Sequence, residues 1–364
     1  MSHRILIAGG GTGGHIFPAL AVAGAIKKLE PSAAILFVGA KGKMEMEKVP
    51  QAGFSIEGLD IAGFDRSSLI KNVSLPFKLL KSFWQVRNIL RHFRPGAVLG
   101  VGGYSSFPVL RYAQAKGIPT FLHEANAYAG KSNQLLAKRA KTIFAGVSGL
   151  ERFFLKEKIF FTGNPVRASI CNPLPDREKA RAFFGLSAHG PVLLVMGGSL
   201  GARSINQSID EGFEQLQRSG IQLIWQTGKP YAAKAAMRIK GHAGCYTADF
   251  IQQMEMAYAA ADVVIARAGA MTVAELAVVA KPVLFVPFPL AAEDHQRVNA
   301  EQLVSKQAAL LVADAEAHVS LVPGAIALCL DAERQRSLSI AIASFGIRDA
   351  AEKVATELIR QLKK

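Results

Sequence analysis

Short apolar runs alternate along the chain with longer stretches in which apolar residues recur at helical spacing. The runs include Ile5–Ala8, Ala34–Val38, Ala97–Val101, Val192–Met196 and Asp262–Ala266. Parallel strands buried on both faces give continuous apolar runs of this kind, and the helices that connect them give the alternation. The pattern predicts an α/β protein built on doubly wound parallel sheets.

Glycine-rich segments follow four of these runs directly. They are Gly9-Gly10-Gly11-Thr12-Gly13-Gly14, Gly102-Gly103-Tyr104-Ser105, Gly197-Gly198-Ser199-Leu200-Gly201 and Arg267-Ala268-Gly269-Ala270. Two fall in each half of the chain, which predicts two open α/β domains with ligands at the carboxyl ends of both sheets. Proline and glycine interrupt the pattern between Asn164 and Pro191, so the domain boundary is expected there.

The positive charge of the chain is concentrated in its first half. The whole chain has 43 Lys and Arg against 28 Asp and Glu, a net charge of +15. Residues 1–165 hold 22 of these basic and 9 of these acidic side chains, and no acidic residue occurs from Arg66 to His123. A basic half implies an anionic partner. Nucleic acid fits poorly because no recognition motif or basic arm is present, which leaves a membrane face or a phosphorylated substrate.

Cysteine usage and hydropathy limit the cellular compartments in which the protein is expected. The three cysteines are more than 70 residues apart and form no CxxC pair, which favours a reducing compartment. No apolar run reaches the ~18–20 residues of a membrane span, and the first residues are too short for a signal-peptide core. We therefore expect a cytoplasmic protein, either soluble or attached to a membrane surface.

The first glycine segment is typical of a phosphate-binding loop, because its backbone can approach a diphosphate and the next helix offers free N–H groups. Gly9, Gly11 and Gly14 match the GxGxxG spacing. A dinucleotide site also needs an acidic residue at the end of the second strand, where this chain has Gly39-Ala40-Lys41, so a nicotinamide site is disfavoured. His15 follows in the first helical turn. It is either a helix-terminal residue without a chemical role or a base at this loop.

In the second half, Glu275 has two interpretations. Its spacing from Thr272 fits a capping box at a helix start. Alternatively, its carboxylate accepts the two hydroxyls of a ribose beside amides that hold phosphate. The segment His295–Asn299 opens another helix, whose amides suit sugar hydroxyls or solvent equally well. No Asp-x-Asp and no His/Cys/Asp cluster with metal-ligand spacing occurs, so we expect no bound metal.

One helical stretch in the basic half has two distinct faces. Leu79, Phe83, Val86, Leu90 and Phe93 form a stripe that packs on a sheet in the simplest interpretation. A flank beside this stripe combines apolar and basic residues: Leu80, Trp84, Arg87 and Arg91. The flank is either a solvated basic edge or a surface whose rings enter a lipid headgroup zone while its arginines meet anionic lipid. A preceding segment with Phe64, Leu69 and Ile70 would add to the second interpretation.

Seven short segments occur in order along nearly the whole chain. They are Ala8–Ala19 (AGGGTGGHIFPA), Gly102–Ser105 (GGYS), His123–Asn126 (HEAN), Gly163–Arg167 (GNPVR), Gly197–Arg203 (GGSLGAR), Arg267–Glu275 (RAGAMTVAE) and Asp294–Ala300 (DHQRVNA). Together they resemble the MurG family, transferases that convert lipid I to lipid II in peptidoglycan synthesis. Each segment is modest alone, but their ordered set is specific.

The resemblance implies a GT-B glycosyltransferase with two Rossmann-like doubly wound domains facing across a cleft. It implies an acceptor-binding, membrane-associated domain over residues 1–164, a UDP-sugar-binding domain over 165–345, and a final segment, 346–364, whose helix returns to the first domain. The family is inverting. It moves N-acetylglucosamine from UDP-N-acetylglucosamine to the C4 hydroxyl of undecaprenyl-pyrophosphoryl-N-acetylmuramoyl-pentapeptide. UDP-N-acetylglucosamine is then a substrate, and no cofactor is implied.

The same resemblance implies roles for individual residues. Glu275 would hold the ribose diol, Ile251 the uracil through its main chain, and Gln296 the sugar hydroxyls. Arg167 and Ser199 would neutralise the UDP leaving group as charge develops on it. The other residues implied at the sugar donor are Thr12, Gly13, Gly14, Asn126, Ala270, Met271, Thr272, Val273 and Ala274.

On the acceptor side, His15 is the candidate base for the C4 hydroxyl. The acceptor's diphosphate would lie against the first glycine loop and four further residues: Gly102, Gly103, Tyr104 and Ser105. Ala125 departs from the family, since many relatives have Gln there, and we expect a backbone or acceptor contact to differ at that position.

A polyprenol-linked acceptor stays in the bilayer, so the resemblance implies a peripheral protein on the cytoplasmic face of the plasma (inner) membrane. Other cell-wall synthesis proteins are then candidate partners. Two other classes stay open from the residues alone: a dinucleotide oxidoreductase, which explains only the first loop, and a non-catalytic nucleotide-sugar or lipid-surface binding module. Lipid galactosyltransferases and UDP-sugar epimerases share the donor end, so the sugar donor is better determined than the acceptor.

Overall fold

The computed structural model describes residues 3–62, 75–198, 200–291 and 294–363. The chain forms two compact units: unit 1 is Met1–Arg167 with Arg348–Lys364, and unit 2 is Ala168–Ile347. Near the ends of these units, the Arg167 guanidinium lies over the ring of Phe17, 4.6 Å from its centre, and Gly346 lies close to the backbone of Ala277.

Unit 1 contains a parallel sheet of seven strands. The strands are β1 (Arg4–Ala8), β2 (Ala34–Ala40), β3 (Ser55–Leu59), β4 (Ala97–Gly100), β5 (Thr120–Glu124), β6 (Thr142–Ala145) and β7 (Ile159–Phe161). Their order is β3-β2-β1-β4-β5-β6-β7, so the strand order reverses between β1 and β4. That reversal is the topological switch point at which open α/β sheets bind ligands.

Helices cover both faces of this sheet. They are α1 (Gly13–Leu29), α2 (Glu45–Gln51), α3 (Leu75–Phe93), α4 (Ser106–Ala115), α5 (Lys131–Ala137) and the last helix of the chain, α16 (Ala350–Leu362). Ile5 and Ile7 pack with α1, α2 and α16, whereas Leu6 and Ala8 point to the opposite face with α3, α4 and α5. The alternation along one strand thus gives unit 1 two hydrophobic cores.

The predicted stripe of α3 lies on the sheet. Val86 and Leu90 are buried in the core, and Phe93 packs against it. The neighbouring flank is exposed: Leu80 keeps 69% and Trp84 63% of its accessible surface. Phe64, Leu69 and Ile70, which the sequence analysis added to this flank, lie outside the described residues.

Unit 2 repeats the architecture with six parallel strands. They are β8 (Val192–Met196), β9 (Gln222–Gln226), β10 (Cys245–Ala248), β11 (Val263–Ala266), β12 (Val283–Phe285) and β13 (Leu310–Leu311), in the order β10-β9-β8-β11-β12-β13. The switch point lies between β8 and β11. The predicted class, α/β with a doubly wound parallel sheet in each half, is confirmed in both units.

Ten helices of unit 2 surround its sheet in the described part of the chain. They are α6 (Ala168–Cys171), α7 (Arg177–Phe183), α8 (Arg203–Glu211), α9 (Phe213–Arg218), α10 (Ala232–Ile239), α11 (Met254–Ala260), α12 (Ala270–Val278), α13 (His295–Val304), α14 (Ala317–Leu330) and α15 (Ala332–Ala343). The centre of this unit is Trp225 of β9, which is fully buried and donates its indole N–H to Asn206 of α8 at 3.0 Å.

Within residues 3–62, 75–198, 200–291 and 294–363, no single helix is both long and apolar enough to cross a bilayer. The stretches Asp314–Leu330 and Ala332–Ala343 meet that requirement only when taken together, across a bend of 96°.

Candidate active site

The four glycine segments occupy the two switch points. Those beginning at Gly9 and Gly102 follow β1 and β4 of unit 1, and those beginning at Gly197 and Arg267 follow β8 and β11 of unit 2. In each unit the two segments therefore leave adjacent strands at the carboxyl edge of the sheet, where open α/β sheets bind their ligands. The sequence alone predicts the four segments. Which two of them lie on adjacent strands depends on the strand order, which only the structure shows.

The two segments of unit 1 are in direct contact. A Cβ atom on Gly103 would lie 2.3 Å from the carbonyl oxygen of Gly10, and φ of Gly103 is +83°, so the position requires glycine. A Cβ on Gly102 would lie 2.8 Å from Nε2 of His15. His15 is thus held between the two loops, with its Nε2 edge against the second one.

His15 is in the first turn of α1, as predicted, and its Nδ1 lies 3.2 Å from the carbonyl oxygen of Gly10. Thr12 Oγ1 lies 3.3 Å from the same nitrogen. A carbonyl oxygen only accepts hydrogen bonds, so a hydrogen bond from His15 to Gly10 places a proton on Nδ1, and in the neutral ring the lone pair is then on Nε2. That is the protonation state in which a histidine can act as a base through Nε2.

Buried polar atoms without a partner gather at the same edge of unit 1. Within the described part of the chain, the hydroxyls of Tyr104 and Ser105 and Oδ1 of Asn164 make no hydrogen bond. Burial raises the pKa of Tyr104, and the nearby Glu45 carboxylate adds to the shift. Buried polar groups are normally satisfied, so such a cluster indicates a polar ligand.

His123 lies at the end of β5 and is 2% exposed. Burial lowers its pKa to about 4, with a further lowering from His15 nearby. Its neighbour Glu124 is also buried, and burial raises the pKa of that carboxyl although Asn133 and the amide of Gly130 donate hydrogen bonds to it. Glu124 therefore organises the loop after β5, whereas the backbone of Gly163 lies near the His123 ring and partly opposes the lowering of its pKa.

Asn126 and Arg167, two implied donor-binding residues of unit 1, lie near this edge. The backbone N–H of Asn126 donates to Glu124 Oε1 at 3.1 Å. Arg167 is half-buried on the Phe17 ring of α1, which holds its guanidinium near the first glycine loop. The departure at Ala125 has a structural counterpart: its carbonyl oxygen accepts a hydrogen bond from Asn164 Nδ2 at 3.0 Å, a contact that does not involve the side chain.

In unit 2, a side chain that the sequence analysis missed connects two parts of the implied uridine site. Gln226, the last residue of β9, donates to the carbonyl oxygen of Gly198 at 3.3 Å and accepts from the N–H of Ile251 at 2.9 Å. Ile251 is buried next to the third glycine segment as a result. Ser199, which the resemblance implies at the leaving group, lies outside the described residues.

Glu275 lies on α12 and is 6% exposed. Its Oε2 accepts a hydrogen bond from the hydroxyl of Tyr258 at 2.9 Å. The capping-box interpretation is wrong, because α12 begins at Ala270 with Gly269 as its N-cap, so Thr272 is already inside the helix. The remaining implied residues, Ala270 to Ala274, form the first turn of that helix, where backbone N–H groups suit an anion.

Gln296 is the second residue of α13, and its Oε1 accepts the N–H of Phe288 at 3.0 Å. The loop that carries Phe288 is also fixed by Arg267, which follows β11. Arg267 donates to the carbonyl oxygens of Val286 and Pro287 and pairs with Asp314 at 2.5 Å. Arg267, Gln226 and Tyr258 thus support the implied donor residues; a lone Arg, Gln or Tyr has no spacing that would reveal such a role in the sequence.

No group of three or more His, Cys, Asp or Glu side chains able to hold a metal ion occurs in the described part of the chain. The carboxylate that a nicotinamide ribose requires is absent from the end of β2, which finishes at Ala40. The first acidic side chain after that strand, Glu45, is buried and bonds to the backbone of the first glycine loop instead.

Comparison with known families covers both units. Residues 5–145 match the glycosyltransferase family 28 N-terminal domain, and residues 192–354 match the glycosyltransferase family 28 C-terminal domain.

Close relatives cover the whole chain. A Bacteroides fragilis protein named UDP-N-acetylglucosamine--N-acetylmuramyl-(pentapeptide) pyrophosphoryl-undecaprenol N-acetylglucosamine transferase is 49% identical, covering 98% of this chain and 95% of its own. A protein of the same name from Parabacteroides distasonis is 47% identical, covering 100% and 99%.

Solved structures agree on the fold. The crystal structure of Acinetobacter baumannii MurG superposes with a TM-score of 0.74 at 27% identity, covering 99% of this chain and 100% of that one. A UDP-N-acetylglucosamine 2-epimerase superposes with a TM-score of 0.70 over 99% and 96% of the two chains, but at 14% identity it is similar in fold only.

Proposed function

The chain belongs to glycosyltransferase family 28, and from that membership we propose that it transfers N-acetylglucosamine from UDP-N-acetylglucosamine to the C4 hydroxyl of undecaprenyl-pyrophosphoryl-N-acetylmuramoyl-pentapeptide, the step from lipid I to lipid II in peptidoglycan synthesis. The observation that carries this proposal is the identity of 49% to a transferase of that name over 98% of the chain. The paired glycine loops in both units support it independently, because the reaction uses two substrates that each contain a diphosphate.

Unit 2 supplies most of the proposed donor site. Glu275, positioned by Tyr258, accepts the ribose hydroxyls, and the N–H groups at the start of α12 face the diphosphate. Ile251, held by Gln226, binds uracil through its main chain. Gln296 and Ser199 complete the pocket at the sugar and at the leaving group.

The proposed chemistry is a single inverting displacement. His15 Nε2 takes the proton of the acceptor C4 hydroxyl while the C4 oxygen forms a bond to the anomeric carbon of N-acetylglucosamine. The bond from that carbon to the β-phosphate oxygen breaks, and UDP leaves with the electron pair. Arg167 and Ser199 stabilise the negative charge that develops on UDP. The product has the inverted, β configuration.

The acceptor's diphosphate is placed by this proposal at the second glycine loop of unit 1, Gly102–Ser105. The buried hydroxyls of Tyr104 and Ser105, which lack a partner in the described part of the chain, support it. No cofactor beyond the two substrates is proposed, since the sequence contains no Asp-x-Asp. Activity in the presence of a chelator would test that point.

We also place the protein at the cytoplasmic face of the plasma membrane through unit 1. Leu80 and Trp84 are exposed on α3 beside Arg87 and Arg91. The two arginines also line a groove of about 640 Å³ that combines basic and apolar side chains; its lining residues are Arg87, Leu90, Arg91, Tyr112, Lys116 and Ile118. Apolar rings beside cationic groups fit an anionic lipid surface. Cell-wall synthesis proteins at that membrane are candidate partners.

The direct test incubates the purified protein with radiolabelled UDP-N-acetylglucosamine and a lipid I analogue, with and without chelator. Transfer of label to the analogue in both conditions is the expected result. Release of the 2-epimer of the sugar nucleotide, or of labelled sugar without acceptor product, would contradict the proposal.

A further inference from the structure

Glu45 is a buried carboxylate that the proposed chemistry leaves unused. It is the first residue of α2 and is 1% exposed. Its Oε2 accepts the N–H of Gly11 at 3.0 Å, and its Oε1 accepts the N–H of Ala40 at 3.0 Å. Burying a carboxylate is costly unless hydrogen bonds compensate, so this placement is specific rather than incidental.

Two glycines, Gly10 and Gly39, leave the space that the Glu45 side chain occupies. A Cβ atom on Gly10 would lie 2.2 Å from Glu45 Oε1, and a Cβ on Gly39 would lie 2.5 Å from Glu45 Cγ. Any side chain at either position would displace the carboxylate. Glycine at 10 and 39 thus makes room for Glu45 as well as for the turn of the loop.

One peptide group connects Glu45 to His15. The N–H of Gly11, which donates to Glu45, and the carbonyl of Gly10, which accepts from His15 Nδ1 at 3.2 Å, belong to the same peptide unit. A hydrogen bond to a carboxylate polarises the peptide and makes its carbonyl a stronger acceptor, since bonds in a chain reinforce one another in a buried setting. A stronger acceptor at Gly10 favours the tautomer of His15 with the proton on Nδ1.

We propose that Glu45 is a positioning residue that sets the tautomer and orientation of His15 through the Gly10–Gly11 peptide. This inference rests on the proposed function, in which Nε2 of His15 is the base. The arrangement does what a carboxylate bonded directly to a histidine does in other enzymes: it fixes the proton on one ring nitrogen, so that the lone pair of the neutral ring is on the other. Here a peptide group transmits the effect.

The first experiment reads the tautomer directly. Long-range ¹H–¹⁵N spectra of protein labelled at histidine nitrogens report which ring nitrogen is protonated, and His15→Asn identifies the His15 signals by their loss. The wild type should show His15 protonated at Nδ1 when neutral. E45Q keeps the size of the side chain but has one acceptor oxygen for two N–H groups, so its Nδ1–H fraction should fall. E47Q, on the exposed side of the same helix, should match the wild type.

The second experiment distinguishes a role of Glu45 in positioning His15 from a role in the stability of the fold. E45Q should lower kcat by about ten- to hundred-fold, the effect of losing a hydrogen bond to a charged group, with the UDP-N-acetylglucosamine KM within about two-fold of wild type. In a His15→Ala background, E45Q should have almost no further effect, because Glu45 acts through His15. A merely structural role would lower the residual activity in that background as well.

The outcomes are distinct. An unchanged His15 tautomer in E45Q, or an additive loss in the double variant, overturns the inference. If the wild type transfers no sugar, the proposed function fails, while the spectra still decide whether Glu45 controls the tautomer. Should E45Q fail to fold by thermal melting, E45D takes its place: it keeps the charge but is one methylene too short for Gly11, and the same spectral change is expected.

Discussion

The carboxyl edges of the two sheets differ in how their polar side chains are satisfied. At the edge of unit 1, the hydroxyls of Tyr104 and Ser105 and Oδ1 of Asn164 have no hydrogen-bond partner in the described part of the chain. At the edge of unit 2, Gln226 joins Gly198 to Ile251, and Glu275 accepts from Tyr258. The proposed donor site of unit 2 is therefore preorganised by its own protein contacts, whereas the edge of unit 1 contains groups that a ligand would satisfy.

This contrast predicts different effects of mutation at the two edges. A preorganised pocket contributes binding energy, so variants of unit 2 should act mainly on the KM of the sugar donor. The unit 1 edge contains the proposed base and a buried neutral histidine, so its variants should act on kcat and on the pH dependence of stability.

The largest effect is expected at His15. His15→Ala should lower kcat by ~10²–10⁴-fold, the usual contribution of a positioned base, with little change in UDP affinity. Steady-state kinetics with a lipid I analogue and UDP binding by calorimetry measure the two quantities. A variant with wild-type kcat would make His15 a helix-terminal residue without a chemical role. Variants at the edge of unit 1 would then no longer be expected to act on kcat.

The next effect concerns His123, whose pKa is lowered to about 4 by burial. The unfolded chain binds a proton at this histidine below about pH 6.5 and the folded protein does not until about pH 4, so stability should fall as pH decreases across that interval, by up to ~3 kcal/mol. Above pH 6.5 both states are neutral and the effect is absent. Urea unfolding of wild type and His123→Gln between pH 7 and pH 4 measures it.

The control for that experiment is His189→Gln, at an exposed position of unit 2. It should keep the pH dependence of the wild type, while His123→Gln should flatten it. Equal slopes for wild type and His123→Gln would mean that His123 is protonated in the folded protein, against its burial.

Most of the fold was accessible from the sequence, because buried parallel strands and glycine turns leave strong local signals. The predicted run Val192–Met196 is β8 with the same two ends, and α13 begins at His295, where the sequence predicts the start of a helix. The site was accessible only in part. Glu45, Gln226 and Tyr258 act through contacts between distant segments, and a single buried Glu, Gln or Tyr has no periodicity or spacing that reveals such a contact.

At the unit 2 edge, Glu275→Ala should raise the donor KM by ~10–150-fold, since a charge-assisted hydrogen bond contributes ~1.5–3 kcal/mol. The parent should discriminate against 2′-deoxy-UDP-N-acetylglucosamine far more than this variant does. Tyr258→Phe removes the hydroxyl that donates to the Glu275 carboxylate but keeps the carboxylate itself. It should raise the KM less, by ~2–12-fold, the effect of a neutral bond worth ~0.5–1.5 kcal/mol. Equal discrimination by parent and Glu275→Ala would show that Glu275 does not contact the ribose.

The smallest and most salt-dependent effect is expected on binding to anionic vesicles, which should depend on the surface of unit 1 and not on that of unit 2. Residues 1–165 hold 22 basic and 9 acidic side chains, so the membrane contact is expected on unit 1. Trp84→Ala with Arg87→Glu and Arg91→Glu should weaken binding to vesicles rich in anionic lipid by ~1 kcal/mol or more for each basic group lost. Wild-type binding should itself fall as salt is raised, because exposed charges are screened.

A matched triple variant on unit 2 tests whether the location matters. Ile340→Ala with Arg334→Glu and Arg336→Glu makes the same change of charge and removes an equally exposed apolar side chain, since Ile340 is 70% and Trp84 63% exposed. It should bind vesicles as the wild type does. Both variants should keep activity on a water-soluble acceptor, because neither changes a glycine loop. If the two triple variants lose vesicle binding equally, net charge alone drives attachment; if neither loses it, the attachment surface lies elsewhere.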